Sequence, residues 1–200
     1  MRTERGATLL IVLMLLTSIM LLGASAAQMT LLNEKASRNG RDHQIALLAA
    51  EAALQDAVRD MAAGRGSHVA FPQTPGTCHA NGAHAGLCLS EARQALPTPA
   101  QMAQTIEFGH FTGRSYAHGN GMLASAAPRY LIELLSLRNT IQSEQEAGLL
   151  RYRITAIGYG PHLHSRVMVQ SVHAAETASA SALPQIGARL SWREIADFSS

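Results

Sequence analysis

The segment 6–33 carries no charged residue, and within it the stretch 7–27 is predominantly apolar. Spanning a bilayer takes about 20 apolar residues, each adding about 1.5 Å of helix length. The segment is therefore long enough to form a transmembrane helix. Arg2 and Arg5 precede it, which favours a cytoplasmic N-terminus and export of everything downstream.

Two kinds of N-terminal processing fit this segment. A conventional signal peptide would end at the Ala-Ser-Ala stretch 24–26 and release a soluble periplasmic protein that starts at Ala27. A short leader, residues 1–6, cut after Gly6, would instead leave the apolar segment on the mature protein. The two alternatives differ in what they predict for the residues that follow.

The sequence after the apolar segment favours the short leader. Residues 31–61 contain no proline and a single glycine, Gly40, and the stretch 44–58 is rich in strong helix formers. Apolar residues recur there at helical spacing in two adjoining stripes. The stripes consist of Ile45, Leu48, Ala49 and Ala52 on one side and of Leu47, Leu54, Val58 and Met61 on the other.

One long helix is the simplest interpretation of this continuity. Gly64 and Gly66 are placed to end it, so the sequence predicts a helix over 7–62, about 80 Å long. Its part 7–32 suits a membrane or the core of an assembly. The remainder, 63–200, then forms a globular head.

Five segments carry a family resemblance. They are RGATLLIV at 5–12, LAAEAAL at 48–54, YRITAIGYG at 152–160, VQS at 169–171 and LSWRE at 190–194. Together with a short basic leader that ends in Arg-Gly before a long helix, they resemble the PilX-type minor pilins of type IV pili. The resemblance covers the N-terminal third and the last quarter of the sequence.

This resemblance implies a type IV pilin-like α+β fold, in which the second half of the helix packs on a small antiparallel sheet. It implies cleavage by the prepilin peptidase between Gly6 and Ala7 and methylation of the new amine. The protein would sit in the inner membrane with a periplasmic head, prime pilus assembly, and end at or near the pilus tip. Implied partners are other minor pilins, the major pilin and the tip adhesin.

Ile11 marks a departure from the major pilins, which carry a glutamate five residues after the cleavage point. The nearest acid on the mature helix is Glu34, and a bare carboxylate in an apolar setting is costly without a partner. The departure favours a tip-proximal place, where no such pairing is required. K-type pseudopilins of type II secretion are similar in this respect, so a pseudopilus subunit is the second interpretation.

The head has the pattern of short strands separated by Gly, Pro and Asn. We expect strands at 130–135, 150–157 and 166–172, a weaker one at 105–108, an edge strand at 190–195, a hairpin loop at 158–165 and a loose linker at 174–182. The second and third strands are expected to pair antiparallel. The sequence thus predicts an α+β head.

Cys78 and Cys88 are the two cysteines of the sequence. Export would place them in an oxidising compartment, where a disulfide is the default, worth about 2–3 kcal/mol for a loop of this size. His79 and His84 lie between them, so a Cys2His2 zinc site is the alternative. Adjacent Cys78 and His79 can hardly both reach one tetrahedral ion, so we predict the disulfide and no metal.

Other chemistry finds little support in the sequence. The net charge of +2 is too small to indicate a nucleic-acid partner. HExxH, GxSxG, phosphate-loop and dinucleotide-binding patterns are absent, so we predict neither an enzyme nor a cofactor. His162 and His164 are interpreted as exposed residues of the hairpin loop.

Overall fold

The computed structural model describes residues 5–91, 96–135, 148–162, 164–177 and 185–195. The protein divides into two compact units, Met1–Arg41 and Asp42–Ser200. We call them the N-terminal unit and the head.

Helix α1 spans Arg5–Asp60 and therefore contributes to both units. In the N-terminal unit every position of 8–41 is exposed. In the head, one face of α1 is buried. It consists of Ala46, Ala49, Ala50, Ala53, Leu54 and Ala57.

The end of α1 is a π-helical turn, Met61–Arg65, in which Gly64 adopts φ 137°. A residue with a side chain rarely adopts this backbone conformation, whereas glycine does so without penalty. The positive φ of Gly64 therefore explains its predicted role in ending the helix.

The head contains one mixed sheet. Within the described residues its strands are β1 (Leu87–Leu89), β2 (Ile106–Glu107), β3 (Arg129–Leu134), β4 (Gly148–Tyr159), β5 (Arg166–Thr177) and β6 (Gln185–Ile195). The order is β1-β3-β4-β5-β6, and β2 pairs with β3. All pairs are antiparallel except β1 with β3, and a short helix α2 (Pro99–Met102) precedes β2.

The β4–β5 hairpin is the longest pairing in the sheet, with Tyr159 opposite Arg166 and Gly148 opposite Thr177. Its loop is closed by a hydrogen bond of 2.6 Å from the Gly160 amide to the Ser165 carbonyl. The antiparallel pairing predicted for these two strands is confirmed.

The α+β architecture is also confirmed, as are the edge position of β6 and the strand at 106–107. Three predictions from the sequence are wrong. Leu48 was assigned to an apolar stripe of the half of α1 that packs on the head, but this residue is 68% exposed. The proposed linker begins too early, because 174–177 belongs to β5 and Ala175 is buried, while 178–182 lies outside the described residues.

The third correction concerns Gly158, which was assigned to the hairpin loop. It lies within β4, where the strand crosses the alanine face of α1. A Cβ atom at this position would lie 1.9 Å from the Ala46 carbonyl oxygen and 2.4 Å from the Ala50 nitrogen. Glycine is required here because two backbones approach more closely than any side chain permits.

Tyr152 on β4 links the sheet to the end of α1. Its ring is fully buried and its hydroxyl donates a hydrogen bond of 2.6 Å to the Gly66 carbonyl oxygen. Burial raises the pKa of the Tyr152 phenol, because the charged phenolate would lose its hydration. The folded head therefore keeps this side chain neutral.

We expect Gly158→Ala to lower the free energy of unfolding by about 3 kcal/mol or more, since the new methyl group collides with helix backbone that cannot move aside. Gly187→Ala in β6 is the matched control: its Cβ would lie 3.3 Å from the Ala174 carbonyl oxygen, a contact that a shift of a few tenths of an ångström relieves, and the expected change is about 1 kcal/mol or less. Denaturant unfolding of the full-length protein in detergent measures both. Equal effects of the two substitutions would contradict the close contact at Gly158.

We expect Tyr152→Phe to cost about 1–3 kcal/mol at pH 7, because a buried carbonyl loses its donor. A raised pKa in the folded state means that this stability is complete below the usual tyrosine pKa of about 10 and is lost as the pH rises above it. The variant has no phenol to ionise, so the gap to the wild type narrows above about pH 10. Unfolding curves from pH 7 to pH 11 test this, and a constant gap would contradict it.

Candidate functional site

The apolar part of α1 offers a continuous exposed surface. Between 8 and 33 every side chain is exposed, and none of them is charged. Ile11 belongs to this surface, with 56% of its side chain accessible. Gly6 and Ala7 lie in the first turn of the same helix. By length and composition α1 could cross a membrane, which is consistent with a membrane anchor.

Four hydroxyl groups on this surface are satisfied by the helix itself. Thr17 and Ser18 both donate to the Met14 carbonyl oxygen, at 3.0 and 2.7 Å. Ser25 and Thr30 donate to carbonyls four residues earlier, at 2.9 and 3.0 Å. These four groups need no water or partner protein, so they tolerate an apolar environment.

Charged residues are found on α1 immediately after the apolar segment. Arg38 donates a hydrogen bond of 2.5 Å to Glu34 one turn earlier, and both side chains are more than half exposed. An exposed pair at this spacing contributes at most a few tenths of a kcal/mol. The pair contributes little to stability, but it lies where α1 changes from an apolar surface to one suited to water.

In the head, Cys78 and Cys88 form a disulfide, as predicted. The segment around Cys78 lies antiparallel to β1: the His79 amide donates to the Leu87 carbonyl at 2.9 Å, and the Leu89 amide to the Thr77 carbonyl at 3.0 Å. The disulfide consumes both thiols, so the alternative Cys2His2 zinc site lacks its sulfur ligands. Among the described residues, no three His, Cys, Asp or Glu side chains converge as a metal site.

Arg65 connects the end of α1 to the disulfide loop, the segment 78–88. Its guanidinium donates to the Ala83 carbonyl oxygen at 2.9 Å and also to that of Ala85. The same group lies 3.4 Å from the centroid of the Phe111 ring, within cation–π distance. One side chain thus holds the loop against the helix end.

Asp60 is the buried partner of Arg65. Its carboxylate accepts hydrogen bonds from Arg65 at 2.5 Å and from the Tyr130 hydroxyl at 2.9 Å. Burial raises the pKa of the Asp60 carboxyl, and the nearby Arg65 charge and the Tyr130 hydrogen bond oppose this shift. A buried carboxylate without these two partners would be strongly destabilising.

Asp56, one turn earlier, holds a second loop. It accepts from the Gly109 amide at 2.7 Å and from the Thr112 hydroxyl at 2.6 Å. Gly109 has φ +81°, and a Cβ there would lie 1.7 Å from the Arg114 carbonyl oxygen. The last two turns of α1 therefore hold two loops through carboxylates, the Gly109 loop directly and the disulfide loop through Arg65.

Neither carboxylate was predicted from the sequence. Asp56 and Asp60 are spaced by four residues and share the helix face of Ala53 and Ala57, all fully or almost fully buried. An acid on an otherwise apolar stripe is the signal that could have identified them, since buried charges occur where partners are available. The partners lie far along the sequence, so spacing alone could not identify them.

A polar groove of about 460 Å³ lies between the disulfide loop and the segment that precedes β3. Its lining includes Asn81, Gln104, Glu107, His110 and Arg129. The Arg129 guanidinium donates to the Thr105 hydroxyl at 3.0 Å and to its carbonyl oxygen, and is therefore held in place. The groove offers groups of both charges to polar ligands or side chains.

His162 and His164 are exposed in the hairpin loop, as interpreted from the sequence. His162 lies 3.5 Å from the Asp42 carboxylate, and His43 lies 3.0 Å from Glu194 on β6. These are separate two-residue contacts. They join the hairpin and the edge strand to the beginning of the head part of α1.

Comparison with protein families gives two matches. A family model described as "PilX N-terminal" matches residues 5–55, which is the greater part of α1. A second, described as "Type IV pilus assembly protein PilX C-term", matches 84–175, from within the disulfide loop to near the end of β5. Comparisons with curated proteins and with solved structures gave no significant match. The two matched segments cover more than half of the sequence, and the protein belongs to the PilX family of type IV pilus assembly proteins.

Proposed function

We propose that this protein is a minor pilin that primes type IV pilus assembly and sits at or near the pilus tip. It is made with a leader, residues 1–6, which the prepilin peptidase removes between Gly6 and Ala7 before the new amine is methylated. The apolar part of α1 then holds the protein in the inner membrane, with the head in the periplasm. During assembly it moves into the fibre.

The exposed, charge-free helix surface at 8–33 is the observation that supports this proposal most strongly. An apolar helix of this length is not stable when exposed to water, because the transfer of its side chains out of water is strongly favourable. Lipid provides one environment and packing between helices another. The small residues at 24–27 favour close approach of a neighbouring helix.

Ile11 supports a place at the end of the fibre. At this position of the mature helix a glutamate would pair with the terminal amine of a neighbouring subunit. Isoleucine offers no such contact, so a subunit with Ile11 is suited to a site where no pairing is needed. The partners that follow from this place are other minor pilins, the major pilin and a tip adhesin.

The N-terminus of the protein recovered from native membranes tests the processing. We expect it to start at Ala7 and to carry one added methyl group. Gly6→Leu should block this cleavage, because the bulky side chain occupies the position next to the cut bond. Ala26→Leu is the matched control: it removes the alternative signal-peptidase site and should leave processing unchanged. Intact mass and N-terminal sequencing measure all three proteins.

The opposite pattern would contradict the proposal. A start at Ala27 that Ala26→Leu prevents would identify a soluble periplasmic protein. A start at Ala7 together with normal pili in a deletion strain, and loss of protein secretion instead, would indicate a pseudopilus subunit.

Leu16→Asp tests the assembly surface. Leu16 is 54% exposed, and an aspartate near the middle of a membrane helix costs about 2.5–3.5 kcal/mol. We expect piliation to be lost while the head stays folded, as shown by an intact Cys78–Cys88 disulfide and unchanged protease resistance. Leu16→Met preserves the apolar surface and should pilate normally. Normal pili with Leu16→Asp would count against assembly through this helix.

A further inference from the structure

Three Asn-Gly pairs occur in the sequence, Asn39–Gly40, Asn81–Gly82 and Asn120–Gly121. In such a pair the backbone nitrogen of the glycine can attack the amide carbon of the asparagine carboxamide. The C–N bond of the carboxamide breaks. Its NH2 group takes up the proton from the glycine backbone nitrogen and leaves as ammonia. Water then opens the five-membered imide at either of its two C–N bonds, which gives aspartate or isoaspartate.

The three pairs share the residue types and the exposure. All three asparagines are exposed, and glycine offers no side chain to hinder the attacking nitrogen. Accessibility and local sequence therefore do not distinguish them. Their backbones do, because the reaction requires a glycine nitrogen that is free to leave its hydrogen bond and move toward the asparagine carboxamide.

Asn39–Gly40 is held within helix α1. The Gly40 amide takes part in the i to i−4 hydrogen-bond ladder, as does every interior helical residue. To react, this turn of the helix must first open, and opening an interior turn costs free energy. The helix therefore protects Asn39 although its side chain is fully accessible.

Asn81–Gly82 and Asn120–Gly121 lie outside such a ladder. Asn81 is in the disulfide loop with an extended backbone, and Gly82 has φ +78°. Asn120 is at the tip of a glycine-rich loop, between Gly119 and Gly121, both with positive φ. Among the described residues, neither the Gly82 nor the Gly121 amide donates a hydrogen bond. Both nitrogens are available without unfolding.

We propose that Asn81 and Asn120 are sites of spontaneous deamidation, and that helix α1 protects Asn39 from the same reaction. Each conversion lowers the net charge by one. At Asn81 it adds a carboxylate to the polar groove beside Glu107 and His110, two of the groups that line it. The groove then becomes more negative as the protein ages.

The full-length protein in detergent, incubated at mildly alkaline pH, tests this inference by peptide mass spectrometry. We expect the mass gain of deamidation at Asn81 and Asn120, with isoaspartate separated from aspartate by retention time. Asn39 should react at least about tenfold more slowly, the factor that corresponds to 1.4 kcal/mol of local opening. Asn120→Gln, which disfavours the five-membered ring, should abolish the signal at that position and leave Asn81 unchanged.

A denatured sample separates the effect of structure from that of sequence. In guanidinium, where α1 unfolds, we expect the three asparagines to react at similar rates. Conversion of Asn39 as fast as Asn120 in the folded protein would overturn the protective role of the helix, as would a slow Asn39 in guanidinium. An unreactive Asn81 or Asn120 in the folded protein would overturn the proposal for that site.

Discussion

The head of this protein depends on a backbone contact between helix α1 and strand β4 at Gly158. Ala46 and Ala50 meet the glycine at distances that exclude even a methyl group, so the helix and the sheet lie unusually close. Each alanine buries little surface, but close packing of backbone atoms gives many favourable dispersion contacts. Larger residues on this face would move the helix outward, and the Tyr152 hydroxyl would then no longer reach the Gly66 carbonyl.

Because the helix and the sheet lie so close together, the end of α1 contacts the surrounding loops through charged side chains. A face of alanines holds the helix against a sheet, but it provides nothing that reaches the surrounding loops. Asp56 and Asp60 extend from that face to the Gly109 loop and, through Arg65, to the disulfide loop. Burying these groups is costly, and each carboxylate has at least two donors that offset the cost. Such ties specify loop positions more narrowly than apolar contacts would, since hydrogen bonds are directional.

Features that depend on local interactions could be predicted from the sequence, whereas features that depend on contacts between distant residues could not. The long helix, the β4–β5 hairpin and the disulfide depend on local patterns or on a single possible pairing, and they were predicted. Strand β1 was missed because three residues show no periodicity, and its parallel partner β3 comes more than 40 positions later. Leu48 was misplaced because helical spacing identifies apolar stripes but cannot decide which one faces the sheet. Gly158 was misread because glycine marks both a turn and a close approach.

The hydrogen bonds and the missing charge of the apolar half of α1 determine what kind of assembly it permits. The hydroxyls of Thr17, Ser18, Ser25 and Thr30 donate to the helix's own backbone, so exchanging lipid for neighbouring helices breaks none of these hydrogen bonds. A carboxylate in place of Ile11 would need a cationic partner in both environments, and the supply of that partner would then control entry into a fibre. Without such a carboxylate, the free energy of entering a fibre comes from packing between helices alone. In the proposed role, such a subunit can join its neighbours before any charged partner has arrived, which is what the first subunits of a growing fibre must do.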